Sequence, residues 1–484
     1  MKKIFSISVL LISSLSFLLS QLIAANQIYP IQSEQFDIKG TWQGVLKISS
    51  VELRIVFNVA EDSTGKLTAT LDSPDQGAYE IPVDEVIIDN DSVKFIIKSV
   101  AGFYEGKIIE DSVMIDGNWN QGGMILPLAL RKVEKVEKPN RPQEPKEPFP
   151  YKKEEVMFEN KNADITLAGT LTIPEGEGSF PAVILITGSG AQNRDEELLG
   201  HKPFLVLADY LSRNGIAVLR FDDRGVGEST GDFTSATSED FAGDVLSAVE
   251  YLKSRSEINP GQIGLAGHSE GGIIAPMAAV ESQDVAFIVL IAGPGLPGDE
   301  ILMLQTELIN KANEMDEEEL KEILKLSREI YDIILVEKDS TIADSTLREL
   351  FEEQYNEMSE EEKEGMGDKQ IFFENKIKTL LSPWFTFFIR YDPYPTLTRV
   401  KCPVLAIIGE KDLQVPPKEN LSAIEKAFKK GGNQNFKTLE LQGLNHLFQT
   451  AETGSPLEYG KIEETFSPDA MKIISEWING LTDK

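Results

Sequence analysis

The residues with the clearest chemistry lie in Ile263-Gly264-Leu265-Ala266-Gly267-His268-Ser269-Glu270-Gly271-Gly272, where Ser269 stands between glycines two positions before and two after it. An apolar run leads into this segment, and a helix-compatible stretch from Ile273 through Val280 follows it. A serine held in a sharp turn between strand and helix exposes its Oγ, while Gly267 and Gly271 remove side chains that would collide across the turn. The helix that begins there aims its amino-terminal dipole at negative charge developing nearby. That is the equipment of a nucleophile that attacks a carbonyl. The alternative is a glycine-rich turn with a purely structural role.

A serine hydroxyl needs a base, and the base needs an orienting acid. The chain has three histidines. His446 follows the apolar run Phe436–Leu441, and Asp412, in Gly409-Glu410-Lys411-Asp412, follows the run Val404–Ile408. Both positions fall at the carboxyl edge of a sheet, in the order serine, aspartate, histidine. Glu410 or another acid is the alternative to Asp412, and a plain loop residue is the alternative for His446. His268 adjoins the nucleophile and must point elsewhere, and His201 precedes a helix. An oxyanion hole needs unobstructed backbone N–H groups. Glu270 supplies one, and the loop Thr187-Gly188-Ser189-Gly190 supplies the other from Ser189 or Gly190. No metal or organic cofactor is required by this chemistry.

The elements that would position these groups are legible as apolar runs alternating with helical periodicity. Ala182–Ile186, Ile216–Phe221, Ile263–Ala266, Ala286–Ile291, Val404–Ile408 and Phe436–Leu441 are short and uninterrupted, as strands of a parallel sheet covered on both faces should be. Between them, periodic segments stop at glycine, for example Phe204, Leu207 and Leu211 ahead of Gly215. A glutamate-rich helical block at about 299–390 interrupts the alternation and ends in the aromatic Trp384-Phe385-Thr386-Phe387-Phe388. It reads as an insertion over the sheet edge.

Upstream the grammar differs. Residues 1–25 combine Met1-Lys2-Lys3, a greasy run from Ile4 to Leu19 and Ala24-Ala25, the pattern of a secretory signal peptide, with an uncleaved membrane anchor as the alternative. Residues 37–134 alternate with period two, as in Leu53, Ile55, Phe57 and Val59, and read as a small antiparallel β domain. Its Trp42 and Trp119 are either core residues, the stronger reading, or sugar-stacking platforms. Residues 135–150 carry proline every third position from Pro139 and read as an extended linker, leaving 151–484 for the αβ segment.

Composition excludes several function classes. The chain has 484 residues, 47 lysines and arginines against 79 aspartates and glutamates, and a formal charge of −32. Nucleic-acid binding and docking on anionic lipid both draw on basic surface, so neither fits. A single cysteine, Cys402, rules out an internal disulfide.

Taken together, Gly-His-Ser-Glu-Gly-Gly, the Gly188 to Asp195 loop Gly-Ser-Gly-x-x-x-x-Arg-Asp, Phe221-Asp222-Asp223-Arg224-Gly225-Val226-Gly227-Glu228-Ser229, and Gly409-x-x-Asp412-x-x-Val415-Pro416 resemble the α/β-hydrolase superfamily. Within it the chain resembles secreted bacterial esterases of the serine aminopeptidase and dienelactone hydrolase-like branches, over about Glu155 to Leu481. The resemblance implies a mostly parallel eight-stranded sheet with helices on both faces and a helical cap at about 299–390. It also implies an architectural ion pair for Arg224. Thr187 stands where the family usually has histidine before the oxyanion glycine. The expected activity is a secreted serine hydrolase acting on small-molecule carboxylic esters, with no membrane insertion after signal cleavage. Peptidase or amidase activity is the alternative. An acyl-CoA thioesterase or acyltransferase fits less well, because an acidic exported protein repels an anionic acyl donor. A binding protein on a dead hydrolase fold would lack a triad member, and none is missing.

Overall fold

In a computed structural model, residues 37–482 are described except for 49–50, 77, 110–112, 123, 137–138 and 367. The expected signal peptide lies outside the described residues. The chain divides into two compact units, one holding residues up to Asn140 together with Leu347–Lys378, the other Arg141–Thr346 and Thr379–Lys484. The division falls inside the proline-rich stretch, and it splits the helical block, whose periodicity alone does not say which neighbour each helix packs on.

In the first unit β1 (Gly40–Ile48), β2 (Val51–Glu61), β3 (Leu67–Ser73), β4 (Ala78–Val83), β5 (Glu85–Asp89), β6 (Ser92–Ile97), β7 (Gly102–Ile109), β8 (Met114–Gln121) and β9 (Met124–Val133) form one antiparallel sheet, in the order β4-β3-β2-β1-β9-β8-β7-β6-β5. Period-two alternation puts Leu53, Ile55, Phe57 and Val59 of β2 on its inner face, where the Phe57 and Phe95 rings stack 4.3 Å apart. Trp42 and Trp119 are buried, the Trp42 indole N–H donating to the Ile38 carbonyl at 2.7 Å, so both are core residues.

The second unit carries the eight-stranded sheet that the resemblance implies. Its strands are β10 (Tyr151–Asn160), β11 (Ile165–Pro174), β12 (Phe180–Ile186), β13 (Ala217–Phe221), β14 (Ile258–His268), β15 (Phe287–Ile291), β16 (Val404–Gly409) and β17 (Phe436–Leu441), ordered β10-β11-β13-β12-β14-β15-β16-β17. β10 and β11 add an antiparallel edge, and the other six strands run parallel. The central runs Ala182–Ile186, Ile263–Ala266 and Phe287–Ile291 are apolar because both faces are covered. Against one face pack α2 (Ser238–Lys253), α3 (Gly271–Glu281) and α11 (Pro417–Gly431), and against the other α1 (Pro203–Arg213) and α13 (Pro468–Thr482). Each fully buried Ile, Leu or Val here contributes about 1.5–3 kcal/mol.

After β15 the chain leaves the sheet through α4 (Gly298–Ala312), α5 (Glu317–Val336), α6 (Ser340–Glu357), α7 (Glu360–Met366), α8 (Lys369–Leu380), α9 (Pro383–Arg390) and α10 (Tyr394–Leu397) before returning to β16, and the short α12 (Pro456–Tyr459) lies between β17 and α13. The exit and the return touch. Gly298 N–H donates to the Tyr391 carbonyl at 3.0 Å, and a Cβ on Gly298 would stand 1.8 Å from the Phe388 carbonyl oxygen, so only glycine fits.

Part of the proline-rich stretch is fixed to the second unit. The Arg141 guanidinium donates to the carbonyls of Leu199, Gly200, Gly460 and Ile462 at 2.8–3.3 Å. Gln143 accepts from the Phe466 N–H at 3.0 Å and donates to the Phe466 carbonyl at 2.7 Å. Arg141 thus ties the loop between β12 and α1 to the segment ahead of α13. Arg141→Ala should lower the stability of the second unit by about 2 kcal/mol, since several charge-assisted bonds are lost from a partly solvated site. Denaturant unfolding of the two proteins measures it, and an unchanged midpoint would show the contacts to be incidental.

Candidate active site

β14 ends at His268 and α3 begins at Gly271, so the intervening residues must reverse direction at once. Ser269 makes the turn at φ +52°, a left-handed conformation that costs a side-chain-bearing residue about 1–3 kcal/mol. Three glycines permit it. A Cβ on Gly267 would stand 1.9 Å from the Gly271 carbonyl oxygen, one on Gly271 would be 2.3 Å from the Ile186 carbonyl oxygen, and one on Gly272 would be 2.4 Å from the Gly293 Cα. The Ser269 N–H is held by the Ile291 carbonyl at 2.9 Å.

Asp412 and His446 leave the ends of the neighbouring strands β16 and β17 and meet. His446 Nδ1 lies 2.8 Å from Asp412 Oδ2, both residues being buried. The other carboxylate oxygen of Asp412 accepts the N–H groups of Gln414 and Val415 at 2.9 and 2.8 Å, which fixes the plane of the carboxylate. Glu410 faces away and accepts the Gly443 N–H at 2.8 Å. The histidine loop is braced by Asn445, whose side-chain oxygen accepts from the N–H groups of Leu447 and Gln449. Gln449 in turn reaches the ring of His201, which is buried.

The loop after β12 packs directly on the serine, since a Cβ on Gly188 would stand 3.2 Å from Ser269 Cβ. Two carboxylates hold it, the half-buried Asp223 and the buried Glu196. Asp223 accepts the Thr187 hydroxyl at 2.8 Å and the Gln192 N–H at 2.9 Å, and burial raises its pKa well above the usual carboxylate range. Glu196 accepts the Gly188 N–H at 2.7 Å, so that donor is already engaged, whereas Gly190 turns through φ +98°. Arg194 grips Asp222 through its backbone N–H and guanidinium. Arg224 is bidentate to Asp244 of α2 at 2.8 and 2.9 Å, and so faces that helix.

Two relations were not visible in the sequence. His268 does point away from Ser269, but its ring centroid comes to rest 4.8 Å from that of His446. The side chain of Glu270, whose interest in the sequence lay in its backbone, is buried and accepts from the Ser238 hydroxyl at 2.5 Å and from the Trp384 indole at 2.8 and 2.9 Å. Trp384 belongs to α9, so the aromatic end of the helical block is joined to the residue beside Ser269. Aromatic residues just before the return to the sheet were the available signal.

Burial raises the pKa of Glu270, and the bonds from Ser238, Trp384 and Ser189 only partly oppose it. For an acid shifted upward, the stabilising contribution is complete below the unfolded value, about 4.3, and is lost as pH rises through the folded value. Glu270→Gln should therefore be more stable than the parent at pH 8, with the difference vanishing toward pH 4. Thermal unfolding of both proteins across this range tests the sign, and a difference independent of pH would refute it.

Residues 202–360 match the family model described as serine aminopeptidase, S33. The chain is 29% identical over 306 residues to the esterase EstD of Thermotoga maritima, an alignment covering 63% of this chain and 64% of that protein. It thus spans somewhat under two thirds of that relative's length. Among solved structures, a Pyrococcus furiosus esterase, Pf2001, superposes with a TM-score of 0.41 at 16% identity, over 72% of this chain and 99% of that one. A dienelactone hydrolase from Anabaena variabilis does so with a TM-score of 0.37 at 16% identity, over 68% and 98%. The strand order and the strand-to-helix turn at Ser269 are those of an α/β-hydrolase fold, and over residues 202–360 the chain is similar to the serine aminopeptidase, S33 family.

Proposed function

We propose that this protein is an exported serine hydrolase that cleaves carboxylic esters carrying short to medium acyl chains. The observation that carries the reading is the hydrogen-bonded His446 and Asp412 at the sheet edge that also presents Ser269 in a left-handed turn. In this reading His446 takes the proton from Ser269 Oγ as Oγ attacks the carbonyl carbon. The tetrahedral oxyanion is met by the N–H of Glu270 and that of Ser189 or Gly190, and His446 returns the proton to the departing alkoxide. Water, deprotonated by His446, then attacks the acyl-serine, and collapse releases the acid and regenerates the hydroxyl. Asp412 keeps Nδ1 protonated so that Nε2 is free to act. Every step uses protein groups and water, with neither metal nor organic cofactor.

Export is supported by the run from Ile4 to Leu19 ahead of Ala24-Ala25. Among the described residues no helix is long and apolar enough to cross a membrane. An ester substrate is supported by the relative named as an esterase and by the aromatic α9 beside the elbow. Cleavage of peptide or amide bonds is the second reading, favoured by the description of the family model over residues 202–360.

Purified protein should hydrolyse nitrophenyl esters, fastest at short to medium chain length, and Ser269→Ala should lower kcat by at least about 10³-fold. Aminoacyl and peptide amides assayed alongside decide between the readings. Faster amide than ester turnover would overturn the ester assignment, and activity surviving Ser269→Ala would overturn the nucleophile.

A further inference from the structure

His268 and Glu196 have no part in the steps above, yet both are buried beside them. His268 Nε2 lies 2.9 Å from the His446 carbonyl oxygen, which can only accept, so Nε2 carries a proton. Its Nδ1 lies 2.9 Å from Glu196 Oε1, the same oxygen that accepts the Gly188 N–H. A backbone donor aimed at that oxygen favours the carboxylate over the acid, which leaves the remaining proton of the pair on Nδ1. Glu196 also occupies a left-handed φ of +51°, and its Oε2 is buried without a hydrogen-bond partner. An anion so short of donors is costly unless a full positive charge stands next to it.

We propose that Glu196 and His268 form a buried carboxylate and imidazolium pair that positions the base loop and the oxyanion loop against each other. The proposal rests on the reading of His446 as the base. Through Nε2 the pair grips the backbone of His446, and through Oε1 it grips the backbone of Gly188, which packs against Ser269. One ion pair thereby sets the spacing of two loops that flank the nucleophile, where errors of a fraction of an ångström slow the reaction. Both residues act through backbone they hold and are positioning residues. The charged and titratable groups facing His268 are Glu196, Asp412 and the His446 ring, with Asp223 in turn close enough to Glu196 to feel its charge. Burial alone would lower the pKa of His268, but the charge of Glu196 and its hydrogen bond outweigh that and raise it.

With three histidines in the chain, imidazole nitrogen NMR resolves each ring, and His268→Asn assigns the signal. In the full-length protein, and equally in Ser269→Ala, His268 should carry protons on both ring nitrogens at pH 7 and remain so above the pH where an exposed histidine loses one. Glu196→Gln should abolish the doubly protonated state and lower kcat on a nitrophenyl ester by about tenfold with KM unchanged, a loss of one charge-assisted interaction. A singly protonated His268 in the parent protein overturns the pair without any variant having to fold. A folded Glu196→Gln protein with parental kcat overturns its positioning role. Should the parent cleave no ester while His268 is doubly protonated, the ester reading fails and the ion pair stands.

Discussion

The second unit depends on one backbone conformation, the left-handed turn at Ser269. A strand that ends at His268 and a helix that starts at Gly271 leave no room for a gradual bend. Gly267 and Gly271 exist to let carbonyl oxygens of β12 and α3 approach to distances no Cβ would allow, and Gly272 meets Gly293 in the same manner. The sheet surrounds this point. β14 lies between β12 and β15, so the loops leaving those strands pass on either side of the serine, and a turn that stores strain is held by neighbours that cannot retreat.

Acidic side chains are turned inward as well as outward. Glu196, Glu270 and Asp412 are buried around Ser269 with Asp223 half-buried near them, and each has a different set of partners. Asp412 has two backbone donors and a histidine, Asp223 a hydroxyl and a backbone N–H, Glu270 an indole and a hydroxyl, and Glu196 a backbone N–H and a histidine. Burial favours neutral forms and donors favour charged ones. The outcome differs from one residue to the next, with Asp223 and Glu270 displaced upward. The net charge of −32 therefore says little about the field at the serine, which is decided by these individual pairings.

Much of this was legible beforehand, for identifiable reasons. Strands buried on both faces read as apolar runs, so β12 through β17 lie within a few residues of the expected runs. Chain order and position after a strand singled out Asp412 and His446, and the structure brings them to 2.8 Å. What escaped was contact between residues that no periodicity links. Glu196 and His268 are 72 positions apart, and Trp384 and Glu270 are 114. The proline spacing of 139–148 was silent on Arg141, whose four carbonyl partners come from two distant loops. The glutamate-rich block showed helices by its composition, yet nothing in it marked Leu347–Lys378 as clustering with the amino-terminal residues.

The contact between Gly298 and the end of α9 has a meaning for how such a protein can change. Departure and return of the helical excursion are pinned together by a hydrogen bond and a close approach, so the sheet sees a fixed staple whatever hangs from it. Closing a longer loop adds only about 0.6 kcal/mol for each doubling of its length. Helices beyond the staple are therefore free to be lengthened, exchanged or recruited to another unit while β15 and β16 keep their register. Selection can rebuild the surroundings of the serine without touching the frame that holds it.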